Sequence, residues 1–379
     1  MSKVHIALVG GQSIPVYLGI VGTRPNRVVL ITSEQTRKSV DTIKSVLPPP
    51  LPIETIVVSP VDPIKIHQVA SDLAEKYKND EVYVNISGGT KAWTHIFGYI
   101  FQALENATVF YIDQNSVLWN YKTMQSQLVV DFDMDVLFRL QENALKHYVP
   151  FAEYTEEDVT AMNQLVSARK YNCGKFNKLT TLLTKDWEEK IQNQKCGCLS
   201  LSESDYVEWE KPDFVRLVLS TKKGGACEYT IESPHAVSLA FRTHWFEFKI
   251  AKMLSLWKYA KDIRLNCVFP PKGVNTTKYP KNEVDIIVNT GVKILFVECK
   301  TQISNSTDID KFRTVVKNYG GNGSKALFIT DNVMTSLQKE KCKESEIISF
   351  SLQDASVGPN KEQELFKLLE QELFKINAK

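Results

Sequence analysis

The feature that most limits how this chain can fold is the alternation, over its first 120 residues, of short β-branched runs with longer helix-like stretches. The strand candidates are KVHIALVG, NRVVLITS, IETIVVSP, EVYVNIS and ATVFYID, and the helix candidates include IKIHQVASDLAEKY and TKAWTHIFGYIFQALE. Strands that alternate with helices form parallel sheets with crossover connections. We therefore predict a Rossmann-like α/β domain at residues 1–140.

The pattern changes twice beyond this domain. Residues 141–234 are predicted to form a small α+β connector of two helices and a hairpin, an arrangement that also suits a winged module. Residues 235–379 have the order helix, strand, strand, helix, strand, followed by the amphipathic helix KEQELFKLLEQELFKI. We therefore predict the α/β fold class for the chain, with a second α/β domain at its C-terminal end.

Composition narrows the class of protein. A chain of 379 residues fits two or three domains, and 43% hydrophobic with 24% charged residues is typical of a soluble globular protein. We expect no membrane span, because no apolar run approaches about 18 residues. The start MSKVHIALVGG lacks the regions of a signal peptide, so we expect a cytoplasmic protein. Its seven cysteines lack the usual zinc spacings, which favours reduced thiols.

The stretch EVDIIVNTGVKILFVECK, residues 283–300, pairs two apolar strand-like runs through a turn-like NTGVK. It contains Asp285, Glu298 and Lys300, although an unpaired buried charge is costly. Because alternate residues of a strand face opposite sides, Glu298 and Lys300 project together, and a hairpin can bring Asp285 beside Glu298. Two close carboxylates repel each other, and their oxygen atoms suit Mg²⁺ or Mn²⁺.

A divalent cation held by two carboxylates beside an ammonium suits phosphodiester hydrolysis, because it polarises the phosphate and makes water more acidic. Lys300 could orient the water or stabilise the developing charge. Glu247, in the helix HWFEFKIAKML, could reach the same ion. The competing interpretation is a surface ion cluster of little energetic value. The helical glutamate, the strand aspartate and their apolar neighbours together favour a metal site.

These residues resemble the core of the restriction-endonuclease-like PD-(D/E)xK nucleases, in which a helical glutamate, a strand aspartate and an E-x-K strand bind the metal. The resemblance implies that Glu247, Asp285, Glu298 and Lys300 are catalytic, and that the three carboxylates bind Mn²⁺ or Mg²⁺. Val284 stands where the family has a proline.

The charge around these residues favours a nucleic-acid substrate. Residues 241–319 contain 14 Lys or Arg and 7 Asp or Glu, a local net charge of +7 against +2 for the whole chain. Four aromatic residues could stack on unpaired bases, although packing in the core is favoured for the two tryptophans. They are Trp245, Trp257, Tyr259 and Tyr279.

In the N-terminal domain, VYVNISGGTKAWTHIFGYIF predicts a strand that ends at residues 87–91, where a helix begins. Glycine lets backbone amides approach a ligand, a helix N-terminus attracts anions, and Lys91 adds positive charge. Neither G-x-x-x-x-G-K-[ST] nor G-x-G-x-x-G occurs, which disfavours kinases, ATPases and nicotinamide enzymes. The loops GGQSIPV and TSEQT follow strands at the same sheet edge, so we predict a nucleotide held by loops.

The segment NISGGTKAW resembles the ligand loop of CARF domains, the CRISPR-associated Rossmann-like sensors of cyclic oligoadenylate. A CARF domain followed by a PD-(D/E)xK domain is similar to the cyclic-oligoadenylate-activated nucleases of type III CRISPR antiviral defence. The resemblance implies a homodimer with cyclic tetraadenylate, an allosteric activator, across its two-fold axis. It implies as substrate single-stranded RNA or DNA, or duplex DNA that is nicked. The residues that it places near the ligand are Gln12, Ser13, Thr32, Ser33, Glu34, Ser87, Gly88, Gly89, Thr90, Lys91 and Asp113.

Two alternatives stay open on sequence alone. One is a repair or restriction nuclease that does not respond to cyclic oligoadenylate. The other is a ligand-responsive nucleic-acid-binding regulator without enzymatic activity, which would have no need of the carboxylate set.

Overall fold

The computed structural model describes residues 1–113, 116–129, 133–182, 184–221, 225–270, 282–303, 307–321 and 324–375. Within these ranges the strands form three sheets, of seven, four and six strands. None of the described helices is long and apolar enough to cross a membrane.

The N-terminal part contains the seven-stranded sheet. Its strands are β1 (Lys3–Leu8), β2 (Arg27–Thr32), β3 (Ile53–Val57), β4 (Glu81–Asn85), β5 (Ala107–Ile112), β6 (Val117–Asn120) and β7 (Gln125–Leu128). The order is β3-β2-β1-β4-β5-β6-β7; β1 to β5 are parallel, and β6 and β7 are antiparallel to their neighbours. The predicted alternation of strands and helices is confirmed.

Helices cover both faces of this sheet. They are α1 (Ile14–Thr23), α2 (Arg37–Val46), α3 (Pro63–Lys76), α4 (Lys91–Gln102) and α5 (Met134–Leu140). Strands β1 and β2 form continuous apolar runs because both of their faces are buried, whereas β3 at the edge of the sheet is partly exposed. One face packs against α3 and α4, and the other packs against α1 and α2. The side chain of Asp62 caps α3 by accepting hydrogen bonds from the backbone N–H groups of Ile64 and Lys65.

The middle part differs from the predicted two helices and hairpin. Its helices are α6 (Glu156–Tyr171), α7 (Cys173–Thr180), α8 (Lys185–Asn193) and the short α9 (Ala236–Ala240), and they accompany a second sheet. The stretch KFNKLTTLLTKDWEEKI, which the sequence predicts as one helix, is divided into α7 and α8, because Leu182 adopts a left-handed conformation (φ 53°) and Thr184 caps the next helix.

The sheet of the middle part is antiparallel, with the order β12-β11-β10-β9. Its strands are β9 (Cys196–Ser202), β10 (Asp205–Glu210), β11 (Phe214–Ser220) and β12 (Ala226–Glu232), where the strand numbers continue after β8 (His147–Pro150). The strands β9 and β10 are absent from our prediction. The small and polar residues of β9 give little strand signal, because most of this strand is exposed.

The C-terminal part contains the six-stranded sheet, with the order β17-β16-β15-β14-β13-β8. Its elements are α10 (His244–Ser255), β13 (Asp262–Phe269), β14 (Asn282–Asn289), β15 (Ile294–Lys300), α11 (Thr307–Tyr319), β16 (Ser324–Thr330), α12 (Ser336–Glu344), β17 (Ile347–Ser351) and α13 (Lys361–Phe374). Strand β8 pairs with β13, although it lies in the range that we assign to the connector. This sheet therefore begins before the predicted domain start at residue 235.

The β14–β15 hairpin lies between two layers of packing. On one face, Val288 and Val297 join the core that contains α10 and the connector. On the other face, Ile287 and Phe296 join a core that contains α11 and also α1, α2 and α5 of the N-terminal part. The hairpin is therefore packed against both of the other parts of the chain.

Candidate functional site

The hairpin brings Asp285, Glu298 and Lys300 together. Because Ile286 pairs with Val297, Asp285 and Glu298 follow as neighbours on adjacent strands. The Nζ atom of Lys300 lies 2.5 Å from Oε1 of Glu298 and 4.0 Å from Oδ2 of Asp285. These three side chains form a compact charged cluster on one face of the hairpin.

The backbone fixes one of the carboxylates. The N–H of Cys299 donates a hydrogen bond to Oδ2 of Asp285 over 2.7 Å. The side chains of Asp285 and Glu298 are each only 15% exposed, and that of Lys300 is 33% exposed. The cluster is therefore neither a deeply buried ion pair nor a freely solvated surface group.

Glu247 approaches the hairpin from α10, in the other packing layer, and is 6% exposed. Burial, and next the negative charge of Asp285, raise the pKa of Glu247 well above its ordinary value. The turn before α10 is tight, since Arg242 and Thr243 have φ of 56° and 69°. It aims the first turn of the helix at the hairpin.

The charges of the cluster act on one another. Burial, and next Asp285, raise the pKa of Glu298 to about 8, although the ammonium of Lys300 opposes the increase. Burial alone would lower the pKa of Lys300, but Asp285 and Glu298 raise it above its ordinary value. Three carboxyl groups therefore surround a single lysine, and Glu247 and Glu298 give up their protons less readily than ordinary carboxyl groups do.

This donor set fits a hard divalent cation. Mg²⁺ commonly binds through one or two carboxylates and keeps several waters, so the Asp285–Glu298 pair offers sufficient protein ligands. Across the described ranges, no group of three or more His, Cys, Asp and Glu side chains is arranged as a metal-binding set. The predicted trio of Glu247, Asp285 and Glu298 is therefore not among such sets in the described residues, and the metal site stays a prediction based on the Asp285–Glu298 pair.

Sequence reasoning missed His244, which stands three residues before Glu247 and shares its face of α10. Burial lowers the pKa of His244, although a hydrogen bond with the Ser238 carbonyl and the charge of Asp285 act in the opposite direction. The i, i+3 spacing of His244 and Glu247 is the signal that could have identified it.

Sequence reasoning also missed Asp331, just after β16. Its backbone N–H donates to the carbonyl oxygen of Lys300 over 3.1 Å. Its side chain pairs with Arg169 of α6 and lies 3.8 Å from Nζ of Lys249. The connector is thereby tied to the end of the strand that carries Lys300. No spacing along the chain signals a contact between residues 169 and 331.

The two tryptophans among the four aromatic residues lie in the core, as we expected from packing. Trp245 and Trp257 are each 2% exposed, so they belong to the core and cannot stack on a base. Tyr259 packs against Trp257 and Phe374, with ring centroids 5.5 and 4.5 Å away. Tyr279 lies outside the described residues.

The predicted glycine loop follows β4 in the N-terminal part. Gly89 has φ of +81°, and a Cβ atom on it would lie 2.7 Å from the Trp93 ring. A Cβ atom on Gly88 would collide with the carbonyl oxygen of Leu8. Both positions therefore require glycine because the loop turns tightly against β1.

The hydroxyl groups near this loop are already in use. Oγ1 of Thr90 accepts from the N–H of Trp93 and donates to the carbonyl oxygen of Pro60. Oγ of Ser87 donates to Oδ1 of Asn85 over 2.6 Å and accepts from the N–H of Ile112. These bonds shape the loop, whereas Lys91 is exposed at the start of α4.

The second predicted loop follows β2. Thr32 is fully buried, and its hydroxyl group lies 2.8 Å from that of Thr36. Ser33 forms a capping box with Thr36, and Glu34 is exposed and pairs with Arg37. This loop reaches the same carboxyl edge of the sheet as the glycine loop.

A cavity of about 570 Å³ brings together four of the predicted ligand residues, Gln12, Ser13, Ser87 and Asp113. It lies between the carboxyl edge of the first sheet and the turn of the β14–β15 hairpin, which contributes Lys293. The residues Thr32, Ser33, Glu34, Gly88, Gly89, Thr90 and Lys91 do not line this cavity. They stand along the same edge of the sheet, outside it.

Residues 4–142 match the family model described as the Card1 CARF domain, which confirms the resemblance of the N-terminal part. The whole chain is similar to the structure of Can2 from Sulfobacillus thermosulfidooxidans in complex with cyclic tetra-adenylate. The TM-score is 0.62 and the identity is 16%, over 99% of this chain and 100% of that chain.

Two further solved structures are similar to the chain. Protein VC1899 from Vibrio cholerae has a TM-score of 0.69 and 14% identity, over 98% of this chain and 97% of that chain. A type III CRISPR defence DNA nuclease activated by cyclic oligoadenylate has a TM-score of 0.60 and 15% identity, over 98% of this chain and 52% of that chain. No curated protein matches the chain significantly. These likenesses confirm the predicted α/β fold class, with an N-terminal Rossmann-like part that matches the CARF model and a C-terminal α/β domain.

Proposed function

We propose that this chain, which begins with a CARF domain, is a metal-dependent nuclease activated by cyclic oligoadenylate, with cyclic tetraadenylate as the activator. The observation that carries the proposal is the Asp285–Glu298 pair with Lys300 beside it. The likeness to Can2 bound to cyclic tetra-adenylate supports the activator. The likeness to a type III CRISPR defence DNA nuclease supports a role in defence and DNA as a substrate. We propose single-stranded RNA or DNA, or duplex DNA that is nicked, as the substrates to be tested.

Mg²⁺ or Mn²⁺, when bound, would polarise the phosphodiester and make water a better nucleophile. Asp285 and Glu298 would hold the cation, and Glu247 would complete its surroundings from α10. The Cys299 N–H keeps Asp285 in one orientation. Lys300, fixed by its contact with Glu298, presents a positive charge to the negative charge that develops on the phosphate. His244 stands near Asp285 and could orient the leaving group or water.

The activator would bind across the two-fold axis of a homodimer. Val61 and Ile64, beside the start of α3, are 79% and 80% exposed, which is unusual for large apolar side chains. The loop before α3 is tied to α4 by the bond from Thr90 to Pro60, so Lys91 stands close to this surface. An interface there would cover the apolar residues and bring two copies of Lys91 to one anionic ring.

The test is a cleavage assay with the purified full chain, in Mn²⁺, on labelled single-stranded RNA, single-stranded DNA and supercoiled plasmid. Each is incubated with and without cyclic tetraadenylate, for the wild type, Glu298→Gln and Glu340→Gln. Glu340 is an exposed residue of α12 and controls for the loss of one carboxylate.

We expect cleavage only with the activator, little cleavage by Glu298→Gln, and wild-type cleavage by Glu340→Gln. Cleavage that is equal with and without cyclic tetraadenylate would mean that the chain is a nuclease that this activator does not regulate. Equal cleavage by Glu298→Gln and the wild type would refute the assigned site.

A further inference from the structure

The two sides of the cavity between the CARF domain and the C-terminal domain differ in the side chains that line them. The CARF side contributes the loop after β1, with Gln12 and Ser13, and Ser87 after β4. The other side contributes Lys293 from the β14–β15 turn and Lys317 from α11. Polar side chains on one wall thus face two lysines on the other. Its volume of about 570 Å³ is within the usual range for small-molecule sites.

Lys293 is the unusual member of this set. It is 9% exposed, yet among the described residues it takes part in no ion pair and its ammonium makes no hydrogen bond. Burial, and next repulsion by Lys325, lower its pKa, whereas the charge of Asp113 across the cavity acts in the opposite direction. A buried ammonium without a partner is costly, so an anion in the cavity would stabilise it.

The N-terminus of α1 opens into the same cavity through Ser13, Ile14 and Pro15. Pro15 in the first turn of this helix has no N–H group, and the side chain of Ser13 does not cap the N–H groups that remain there. A helix N-terminus and an unpaired lysine therefore converge on one cavity, and both favour a negatively charged group.

We propose that this cavity is a binding site for a nucleotide phosphate, with Lys293 of the nuclease domain as its principal cation. The proposal rests on the proposed function and deepens it. The phosphate is one group of the cyclic oligoadenylate, which contacts the CARF loops and the nuclease domain of the same chain at once. The cavity is too small for a whole cyclic tetranucleotide, so part of the ring would enter it.

The position of Lys293 gives such a contact a direct consequence. Lys293 immediately precedes β15, and Glu298 lies five residues further along that strand, about 16 Å away at the usual rise per residue. A ligand that draws Lys293 towards α1 pulls on the strand that carries Glu298 and Lys300. The hairpin would therefore transmit the effect of ligand binding directly to the candidate nuclease site, with no other helix or strand between them.

The experiment compares Lys293→Met, Lys293→Arg and Lys325→Met with the wild type. Lys325 is the matched control, because it is near Lys293 and carries the same charge but does not line the cavity. Binding of cyclic tetraadenylate and of AMP is measured by calorimetry. Ligand-dependent cleavage and the melting temperature without ligand are measured on the same preparations.

We expect Lys293→Met to weaken cyclic tetraadenylate binding by about 10- to 100-fold, the usual effect of losing a charged hydrogen bond. Lys293→Arg should restore much of the affinity, and Lys325→Met should bind as the wild type does. Without ligand, Lys293→Met should melt at or above the wild-type temperature, because it loses an unpaired buried charge. A lysine with a purely structural role would instead lower the melting temperature.

The two proposals fail in different ways. If the wild type binds cyclic tetraadenylate and cleaves, but Lys293→Met binds equally well, the cavity site is wrong and the proposed function stands. If the wild type does not bind cyclic tetraadenylate, the proposed activator is wrong. In that case, AMP binding that depends on Lys293 would still support a phosphate site, and its absence would overturn it.

Discussion

Glu298 stabilises the fold less when it is charged. Its replacement by glutamine should therefore raise the free energy of unfolding while it removes the proposed cleavage activity. Burial and Asp285 raise its pKa from 4.5 to about 8. In the unfolded chain the carboxyl loses its proton near pH 4.5, whereas in the folded chain it keeps the proton until about pH 8. The contribution of this group to stability is therefore full below pH 4.5 and declines as pH rises to about 8.

The size of the effect follows from the same values. Each pH unit between the two pKa values costs about 1.4 kcal/mol, so at pH 7 the penalty reaches at most about 3.5 kcal/mol. Glutamine carries no charge and can still accept a hydrogen bond from Lys300. We expect Glu298→Gln to raise the free energy of unfolding in EDTA at pH 7 by up to that amount, with a smaller increase at pH 5.

Urea unfolding of the wild type, Glu298→Gln and Glu340→Gln at pH 5, 7 and 8, in EDTA and in Mn²⁺, measures these differences. Mn²⁺ should stabilise the wild type and have less effect on Glu298→Gln, since binding to the folded state alone raises stability. A Glu298→Gln protein less stable than the wild type in EDTA at pH 7 would refute the reasoning, because it would mean that the ion pair with Lys300 outweighs the repulsion.

Three further predictions concern other parts of the chain. Asp205→Ala should lower the free energy of unfolding by about 3 kcal/mol in urea titrations, because this buried carboxylate accepts a hydrogen bond from Lys175 over 2.7 Å and others from Ser220. Gly89→Ala should lower it by about 1–3 kcal/mol and weaken cyclic tetraadenylate binding, because φ of +81° and the Trp93 ring exclude a Cβ atom. Ile64→Asp should convert a dimer to a monomer in light scattering, and an unchanged mass would refute the proposed interface.

The sequence predicted the parts of the fold in which local pattern and tertiary packing agree. Strands β1 and β2 are buried on both faces, so their apolar runs are unambiguous. The hairpin with its turn at Asn289–Lys293 was equally clear, because turn residues separate two apolar, strand-like runs. The side-by-side placement of Glu298 and Lys300 followed from strand alternation, because residues two apart share a face, and the hairpin accounted for Asp285.

The connector was harder to predict, because its signals are weak or divided. Strand β9 is mostly exposed, and one helical pattern conceals the break between α7 and α8 at Leu182. The pairing of β8 with β13 joins segments more than one hundred residues apart, as does the pair of Arg169 with Asp331. Such contacts depend on how the three parts of the chain pack against one another, and the local pattern of apolar and polar residues does not indicate this.

Nothing in the sequence suggests a function for Lys293, whereas its position in the structure does. In the chain it is a lysine after a turn, where exposure is the ordinary expectation. Packing of the CARF domain on the hairpin buries it, and the fold provides no carboxylate within ion-pair distance among the described residues. Burial of an unpaired charge opposes folding, so its presence at the tip of the strand that carries Glu298 is difficult to explain by stability alone. A requirement for an anion at that place, supplied by the ligand, explains both its position and its lack of a partner.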